Sequence, residues 1–242
     1  IEVVKLYCEP NGNFPHNPEP LKKNLTQLSK KVIDTNADLG IAVDPDVDRL
    51  VFVCENGEIF GEENTLVACS DYVLEKSPGS TVSNLSSSRA LADITKKHNQ
   101  IHFYSAVGEV NVVKKMKECS AVIGGEGNGG VIYPKSHYGR DAIVGIGLFL
   151  SLFVERGLKA SQLLDTYPKY YMLKEKVNVS SKLNVDKILK KIAKKYINEK
   201  VDLVDGVRID FTQSWVQLRK SNTEPIIRTV SYTHLRAHET HE

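Results

Sequence analysis

LGIAVDPDVDRLVFVC, residues 39–54, places three alternating aspartates between two short apolar runs of strand type. On an extended loop, alternate side chains point the same way, so the carboxylates of Asp44, Asp46 and Asp48 converge on one point. Three carboxylate oxygens at one point favour a hard cation such as Mg²⁺, with room left for water and a phosphate. Arg49 adds a planar fork of donors that suits a phosphoryl group. The stretch therefore predicts a metal loop between two buried strands.

Two other structures would produce the same alternation. A solvated acidic turn carries aspartates without a metal, and an EF-hand has acidic residues at alternate positions, with Glu55 falling at the twelfth. An EF-hand needs glycine at the sixth position and a helix on each side, whereas Arg49 stands there and both flanks are of strand type. The pattern favours the metal loop and leaves the structural turn as the alternative.

Composition and charge exclude several classes of protein. The chain has 242 residues, 41% of them hydrophobic, and a formal net charge of +2, which is typical of a globular protein; its length exceeds one average domain and allows two or three. Acidic and basic residues are interleaved, so no nucleic-acid surface is expected. The richest apolar run, residues 142–154, is too short to span a membrane and is predicted to be a core helix. Four scattered cysteines without a Cys-x-x-Cys pair favour a reducing, cytoplasmic location.

The order of predicted elements indicates an α/β fold, with mixed α/β domains followed by a small α+β domain at the C-terminal end. Strands and helices alternate from residue 81 to residue 156, which is typical of a mostly parallel sheet. After Pro168, a predicted helix at 185–197 is followed by three consecutive strands, which is typical of an α+β unit. Boundaries near residues 60 and 170 give the predicted domains 1–60, 61–170 and 171–230.

The C-terminal segment, residues 231–242, breaks the preceding strand pattern. It contains His234, His238 and His241, three of the seven histidines. Such a cluster can bind a metal, but we predict a non-native tail and assign it no function.

The glycine-rich stretch GGEGNGG, residues 124–130, is the second cluster of site-type residues. Its five glycines allow the backbone to approach a ligand closely. Glu126 and Asn128 supply side chains that can hydrogen-bond neighbouring hydroxyls. A carboxylate and an amide within such a loop favour a sugar, and a flexible turn is the alternative.

The stretch LRKSNTEPIIR, residues 218–228, is the third cluster. Arg219 and Arg228 bracket a turn of hydroxyl and amide side chains. Backbone N–H groups exposed in such a turn form an anion nest, and the arginines supply positive charge. The stretch predicts a phosphate site, and a surface hairpin with ordinary charges is the alternative.

Together, the three motifs resemble those of the α-D-phosphohexomutase superfamily, which includes phosphoglucomutase, phosphomannomutase and phosphoglucosamine mutase. The acidic loop resembles the family's metal loop, usually D-G-D-G-D-R. The glycine-rich stretch resembles its sugar-binding loop, usually G-E-x-S-G, and the last motif resembles its phosphate-binding loop, usually R-x-S-G-T-E-P-x-x-R. All three occur in the family's order, and the resemblance covers nearly all of residues 1–230.

The resemblance implies a role for each matching residue. Asp44, Asp46 and Asp48 would hold Mg²⁺, and Arg49, the implied catalytic residue, would lie against the transferring phosphoryl group. Glu126 would hold sugar hydroxyls together with Asn128, which replaces the usual serine. The phosphate-binding loop would hold the substrate's non-reacting phosphate through Arg219, Ser221, Asn222, Thr223 and Arg228.

Two departures from the family pattern affect the interpretation. The family's phosphate-accepting serine lies in a T-A-S-H-N-P type loop of an N-terminal domain, and no such run occurs here. We therefore interpret the chain as a fragment that needs the missing N-terminal domain of the same protein. Many members have histidine after the sugar-binding loop, where this chain has Gly130, so the general acid/base is left open. His137 is one candidate, and a solvated loop histidine is the alternative.

The resulting hypothesis is a fragment of an enzyme that moves a phosphoryl group between O6 and O1 of a hexose phosphate through a phosphoserine. The Asn-Gly-Gly form of the sugar-binding loop resembles phosphoglucosamine mutase most, with phosphomannomutase or phosphoglucomutase activity as the alternative. A non-catalytic module that binds a sugar phosphate and Mg²⁺ is the alternative from another class. An aspartyl phosphatase fits less well, because Asp48 and Arg49 continue the acidic motif. The isolated chain is expected to be inactive, with no nucleic-acid or membrane partner.

Overall fold

A computed structural model describes residues 1–180, 183–212, 214–221 and 225–234 of the chain. Its helices are α1 Thr26–Thr35, α2 Glu62–Lys76, α3 Ala90–Lys97, α4 Glu109–Glu118, α5 Ala142–Arg156, α6 Ala160–Asp165 and α7 Val185–Lys195. Its strands are β1 Leu39–Val43, β2 Leu50–Cys54, β3 Thr81–Asn84, β4 His102–Ser105, β5 Ile123–Glu126, β6 Gly130–Ile132, β7 Tyr170–Asn178, β8 Lys200–Asp202, β9 Val207–Asp210, β10 Ser214–Lys220 and β11 Ile226–His234. Within the described residues, no helix combines the length and the apolar character needed to cross a membrane.

The first sheet is the antiparallel pair β1–β2, and the acidic loop connects its two strands. All of β2 is buried, and Phe52 stacks on Phe149 of α5 with ring centroids 3.7 Å apart. The prediction that both strands are buried is wrong for β1, where Ile41 and Val43 are exposed. The reason is that α1 packs on the opposite, Gly40 face of β1, so only that face of the strand is covered.

The second sheet has the order β4-β3-β5-β6, in which β3 is parallel to β4 and β5, and β6 is antiparallel. This topology confirms the α/β architecture. Helices cover both faces of this sheet, and successive residues of a strand contact opposite helices, because side chains alternate along a strand. Ile123 of β5 enters the larger core with Leu66 of α2, whereas Gly124 lies against Met116 of α4. The parallel strands β3 and β5 therefore end at one edge, where Asn84 and Glu126 meet.

The third sheet is antiparallel with the order β7-β11-β10-β9-β8, and α7 packs on it. The sequence predicts three strands after α7, and the described residues contain four. The predicted tail at 231–242 does not begin at a structural boundary, because residues 231–234 continue β11. That strand is paired on both sides, with β7 and with β10, so the ladder hydrogen bonds extend it past the local apolar pattern. Residues 235–242 lie outside the described residues.

One buried arginine connects the second and third sheets. Arg208 of β9 is 1% exposed, and its guanidinium lies between the rings of Tyr104 and Trp215 at 4.5 and 4.4 Å from their centroids. It donates hydrogen bonds to the Leu85 carbonyl at 2.8 Å and to Asp210 at 3.1 Å. This contact fixes the sheet that carries the 218–228 motif relative to the sheet that carries Glu126.

Candidate active site

The acidic loop brings its three aspartates together. Asp44, Asp46 and Asp48 each offer a carboxylate oxygen, and these oxygens lie within 4.8 Å of one another. The convergence arises from a tight turn and not from an extended loop, because the Val47 N–H donates to the Asp44 carbonyl at 3.1 Å. Val47 has a φ of 59°, in the left-handed region that favours glycine.

Asp44 anchors the loop. Its carboxylate accepts hydrogen bonds from Arg49 Nε at 2.5 Å and from the backbone N–H groups of Asp48 and Arg49 at 3.1 and 3.0 Å. Burial by itself raises the pKa of Asp44, but these hydrogen bonds and the Arg49 charge outweigh it and lower the pKa below 3.8. Arg49 also donates to Glu19 at 3.2 Å, so its guanidinium is held at the rim of the acidic cluster.

Asp48 lies between two arginines but has one oxygen without a hydrogen bond. Its Oδ2 pairs with Arg140, whereas its Oδ1 is buried, lies 3.9 Å from Arg49 Nε and accepts no hydrogen bond from the described residues. Burial raises the pKa of Asp48, the Arg140 charge opposes that effect, and the charges of Asp44 and Asp46 raise the pKa further. An orphaned carboxylate oxygen among converging negative charges fits a hard divalent cation with oxygen ligands. The donor set of the loop therefore suits Mg²⁺.

Glu126 lies at the end of β5, and its carboxylate is held on both sides. Oε1 accepts from Asn84 Nδ2 at 2.7 Å and from the Gly108 N–H at 3.0 Å, and Oε2 accepts from Arg140 Nη1 at 2.8 Å. Glu126 is 4% exposed, so these contacts fix its direction. Asn128 is partly exposed and accepts from the Gly130 N–H at 3.2 Å.

The glycines of the 124–130 loop make room for other parts of the protein. A Cβ at Gly127 would overlap the Glu63 carboxylate, and a Cβ at Gly129 would overlap the Leu50 carbonyl. The Gly129 carbonyl accepts from the Leu50 N–H at 3.1 Å, which bonds this loop directly to β2. The sequence interpretation of these glycines, close approach to a ligand, therefore misses their contacts within the protein.

Arg140 is a site residue that the sequence analysis missed. Its side chain is 18% exposed, and it forms ion pairs with Asp48, Glu109 and Glu126. In the sequence, Arg140 is marked only by its position directly before Asp141, the N-cap residue of α5. That position does not indicate which carboxylates the arginine contacts.

The 218–228 motif forms the hairpin between β10 and β11. Arg219 and Arg228 are directly opposite each other in this ladder, and Ser221 is 5% exposed with its N–H bonded to the Ile226 carbonyl at 3.0 Å. Asn222 and Thr223, both predicted to bind the substrate phosphate, lie outside the described residues.

His137 is on the surface beside Arg140. Its Nε2 lies 2.9 Å from Asp141 Oδ2, and its side chain is half exposed. Asp141 also caps α5 by accepting from the Val144 N–H at 3.0 Å. The histidine is thus oriented by a carboxylate, unlike the freely solvated histidine that the sequence left as an alternative.

The fold and site define a class of protein in which three sheets each carry one loop of polar, ligand-type residues. Two family models match the chain: phosphoglucomutase/phosphomannomutase α/β/α domain II over residues 1–57 and α/β/α domain III over residues 62–170. The chain belongs to the phosphohexomutase superfamily.

Individual relatives agree with this assignment. The chain is 38% identical over 234 residues to a phosphoglucomutase/phosphomannomutase of Thermococcus kodakarensis, covering 95% of this chain and 51% of that protein. It is 36% identical over 230 residues to a probable phosphoglucosamine mutase of Methanopyrus kandleri, covering 94% and 51%. A phosphoglucomutase/phosphomannomutase family protein of Burkholderia thailandensis has a solved structure that superimposes with a TM-score of 0.84 at 28% identity, covering 98% of this chain and 52% of that one. The chain thus spans about half the length of these relatives.

Proposed function

We propose that this chain is the metal-, sugar- and phosphate-binding part of a phosphohexomutase that moves a phosphoryl group between O6 and O1 of glucosamine phosphate. The observation that carries the proposal is the direct connection between the acidic cluster and the sugar-binding loop. The Leu50 N–H bonds the Gly129 carbonyl at 3.1 Å, and Arg140 pairs with both Asp48 and Glu126. A metal centre and a sugar-hydroxyl site next to each other are what phosphoryl transfer on a sugar requires.

In this proposal Asp44, Asp46 and Asp48 hold Mg²⁺. When bound, the ion neutralises charge on the phosphoryl group during transfer. Arg49, which the Asp44 carboxylate fixes at the rim of the cluster, is the proposed catalytic residue and donates hydrogen bonds to the same phosphoryl oxygens.

The other two loops bind the parts of the substrate that do not react. Glu126 and Asn128 accept hydrogen bonds from sugar hydroxyls. The second phosphate of the substrate is held by Arg219, Ser221, Asn222, Thr223 and Arg228. Binding energy from this remote phosphate orients the reacting end of the sugar and lowers the barrier for transfer.

We propose that the phosphoserine comes from an N-terminal domain of the same protein that is not part of this sequence. The chain's coverage of about half the length of its relatives supports this. The proposed division of the chain remains 1–60, 61–170 and 171–230, and it is supported by the separate sheets and by the matched ranges 1–57 and 62–170.

Two alternatives have specific support. Phosphomannomutase or phosphoglucomutase activity is favoured by the name of the 38% identical relative. A non-catalytic module for sugar phosphate and Mg²⁺ is supported by the acidic cluster and the Glu126 carboxylate, which provide binding groups without a phosphoserine.

A coupled mutase assay on the longer protein, with the 6-phosphates of glucosamine, mannose and glucose side by side, tests the proposal. We expect Mg²⁺-dependent turnover that is fastest with the glucosamine phosphate, and no turnover by the 242-residue chain alone. If turnover is fastest with mannose or glucose phosphate, that sugar phosphate replaces glucosamine phosphate as the proposed substrate. Absence of turnover with all three, together with tight binding of the phosphates, would favour the binding module.

A further inference from the structure

Arg140 joins three separate parts of the fold through a single side chain. Its Nη2 pairs with Asp48 Oδ2 in the acidic loop, its Nη1 with Glu126 Oε2 at 2.8 Å, and its Nε with Glu109 Oε2 at 3.2 Å at the start of α4. Each guanidinium nitrogen therefore contacts a different carboxylate, and the three carboxylates belong to three different elements.

The contact with Asp48 leaves one oxygen of that residue for a ligand. Arg140 occupies Oδ2, and Oδ1 is the buried oxygen that accepts no hydrogen bond from the described residues and lies 3.9 Å from Arg49 Nε. Asp48 lies in a turn next to two other carboxylates, and their repulsion favours turning it away. An arginine on one oxygen opposes that movement and points the other oxygen inward.

Arg140 needs space that Gly130 provides. A Cβ at Gly130 would overlap Cδ of Arg140, which belongs to the inner stem of the side chain and not to its mobile end. The stem of Arg140 lies where a side chain at residue 130 would begin. Glycine at this position, where the family pattern has histidine, leaves that space to the arginine.

We propose that Arg140 is the positioning residue that fixes the metal ligand Asp48 and the sugar-binding Glu126 relative to each other, an inference that rests on the proposed function for the roles of those two carboxylates. This role requires the guanidinium group, whose three nitrogens are spread over a rigid plane. The single nitrogen of a lysine ammonium group cannot contact three carboxylates that belong to three different elements. Loss of an outer partner of a metal ligand typically costs roughly 10–100-fold in metal affinity.

The sign of the change in metal affinity separates positioning from simple electrostatics. Removing a positive charge beside a cation site strengthens cation binding if charge alone matters. Removing a residue that orients a ligand weakens it. Mn²⁺ binding to the 242-residue chain, followed by the electron paramagnetic resonance signal of free Mn²⁺ and by competition with Mg²⁺, measures this sign.

The variants are Arg140→Gln, Arg140→Lys and Gly130→Ala. The control is Lys135→Gln, which removes the same charge from the same connection between β6 and α5, where Lys135 donates to the Ser77 hydroxyl at 2.9 Å. We expect the affinity for Mn²⁺ to fall roughly tenfold or more in all three variants and to stay at the wild-type value in the control. Unchanged or tighter binding in Arg140→Gln would overturn the proposal.

Hydrogen exchange of the metal-free chain gives a second, independent readout. The Asp48 N–H donates to the Asp44 carboxylate at 3.1 Å, and the Gly108 N–H donates to the Glu126 carboxylate at 3.0 Å. Exchange of these two N–H groups therefore reports how well the acidic loop and the Glu126 carboxylate are ordered. We expect faster exchange at both sites in Arg140→Gln and wild-type exchange in Lys135→Gln. If the wild-type chain binds no Mn²⁺, the proposed metal site fails, and exchange alone decides the role of Arg140. Wild-type exchange at both N–H groups in Arg140→Gln would reject the positioning role of Arg140.

Discussion

Arg219 and Arg228 are direct partners across the antiparallel β10–β11 ladder, with their side chains on one face of the sheet. Directly opposite residues have Cβ atoms about 5 Å apart, so one anion can lie within reach of both guanidinium groups. Such an anion accepts charge-assisted hydrogen bonds from both. The pairing therefore supports the proposed phosphate site even though part of the turn lies outside the described residues.

The first prediction concerns this pair. A charge-assisted hydrogen bond contributes about 1.5–3 kcal/mol, so we expect Arg219→Ala to weaken binding of glucosamine 6-phosphate roughly tenfold or more. Arg219→Lys is also expected to bind more weakly, because an ammonium group lacks the planar fork. Lys220→Ala is the matched control, since Lys220 is exposed and its side chain points to the other face.

Titration calorimetry with the sugar phosphate and with free glucosamine measures both effects. Free sugar is expected to bind wild type and Arg219→Ala equally weakly. Wild-type affinity of Arg219→Ala for the sugar phosphate would make the hairpin an ordinary surface turn and remove the support for the substrate class.

The second prediction concerns the acidic cluster. Asp46 is exposed at the tip of the loop, so Asp46→Asn is expected to change the free energy of unfolding by less than about 0.5 kcal/mol. The loss of one negatively charged ligand is expected to weaken Mn²⁺ binding at least roughly tenfold. Asp34→Asn, which neutralises an exposed aspartate paired with Lys30, is the control. An Asp46→Asn chain with wild-type Mn²⁺ affinity would contradict the metal assignment.

The third prediction concerns Val47, a β-branched residue with a φ of 59°. This conformation is costly for valine and free of strain for glycine, whereas glycine loses more backbone entropy on folding. The strain is the larger effect, so we expect Val47→Gly to raise the free energy of unfolding by about 1 kcal/mol in urea titrations. Val43→Gly, in the neighbouring strand, is the control and is expected to lower it. A destabilised Val47→Gly would show that the left-handed turn carries no strain.

The fourth prediction concerns Glu63 of α2, which lies beneath Gly127 of the 124–130 loop. Its Oε2 accepts from the Ser88 N–H at 2.9 Å, and its Oε1 is buried and accepts no hydrogen bond from the part of the chain that the structure describes. Burial raises the pKa of Glu63 from 4.5 to about 8. Between these values the folded chain keeps a proton that the unfolded chain has lost, so stability decreases as the pH rises from about 5 to 8.

We expect Glu63→Gln to flatten this decrease, because glutamine does not titrate. Urea unfolding at about pH 5, 6.5 and 8 measures the slope for the variant, for wild type and for Glu118→Gln, whose exposed carboxylate pairs with Lys115. Glu118→Gln is expected to retain the wild-type slope. Equal slopes for wild type and Glu63→Gln would mean that the Glu63 carboxyl is ionised in the folded chain.

The sequence was sufficient for features that depend on near neighbours. The apolar run at 142–154 and the predicted helix at 185–197 correspond to α5 Ala142–Arg156 and α7 Val185–Lys195, within two residues at each end. The alternation of Asp44, Asp46 and Asp48 predicted that their carboxylates converge, although the turn that brings them together was not foreseen. Helical periodicity and turn formation act over a few residues, so they are visible in the order of the residues.

Only the tertiary structure decided which distant groups meet. Arg140 contacts Asp48 across 92 positions of the chain, and Arg208 bonds the Leu85 carbonyl across 123. Gly127 lies on Glu63 because α2 passes under the 124–130 loop, and β11 extends to His234 because two strands flank it. These contacts depend on how sheets and helices pack, and packing is set by the summed burial of many side chains, so no short stretch of sequence specifies it.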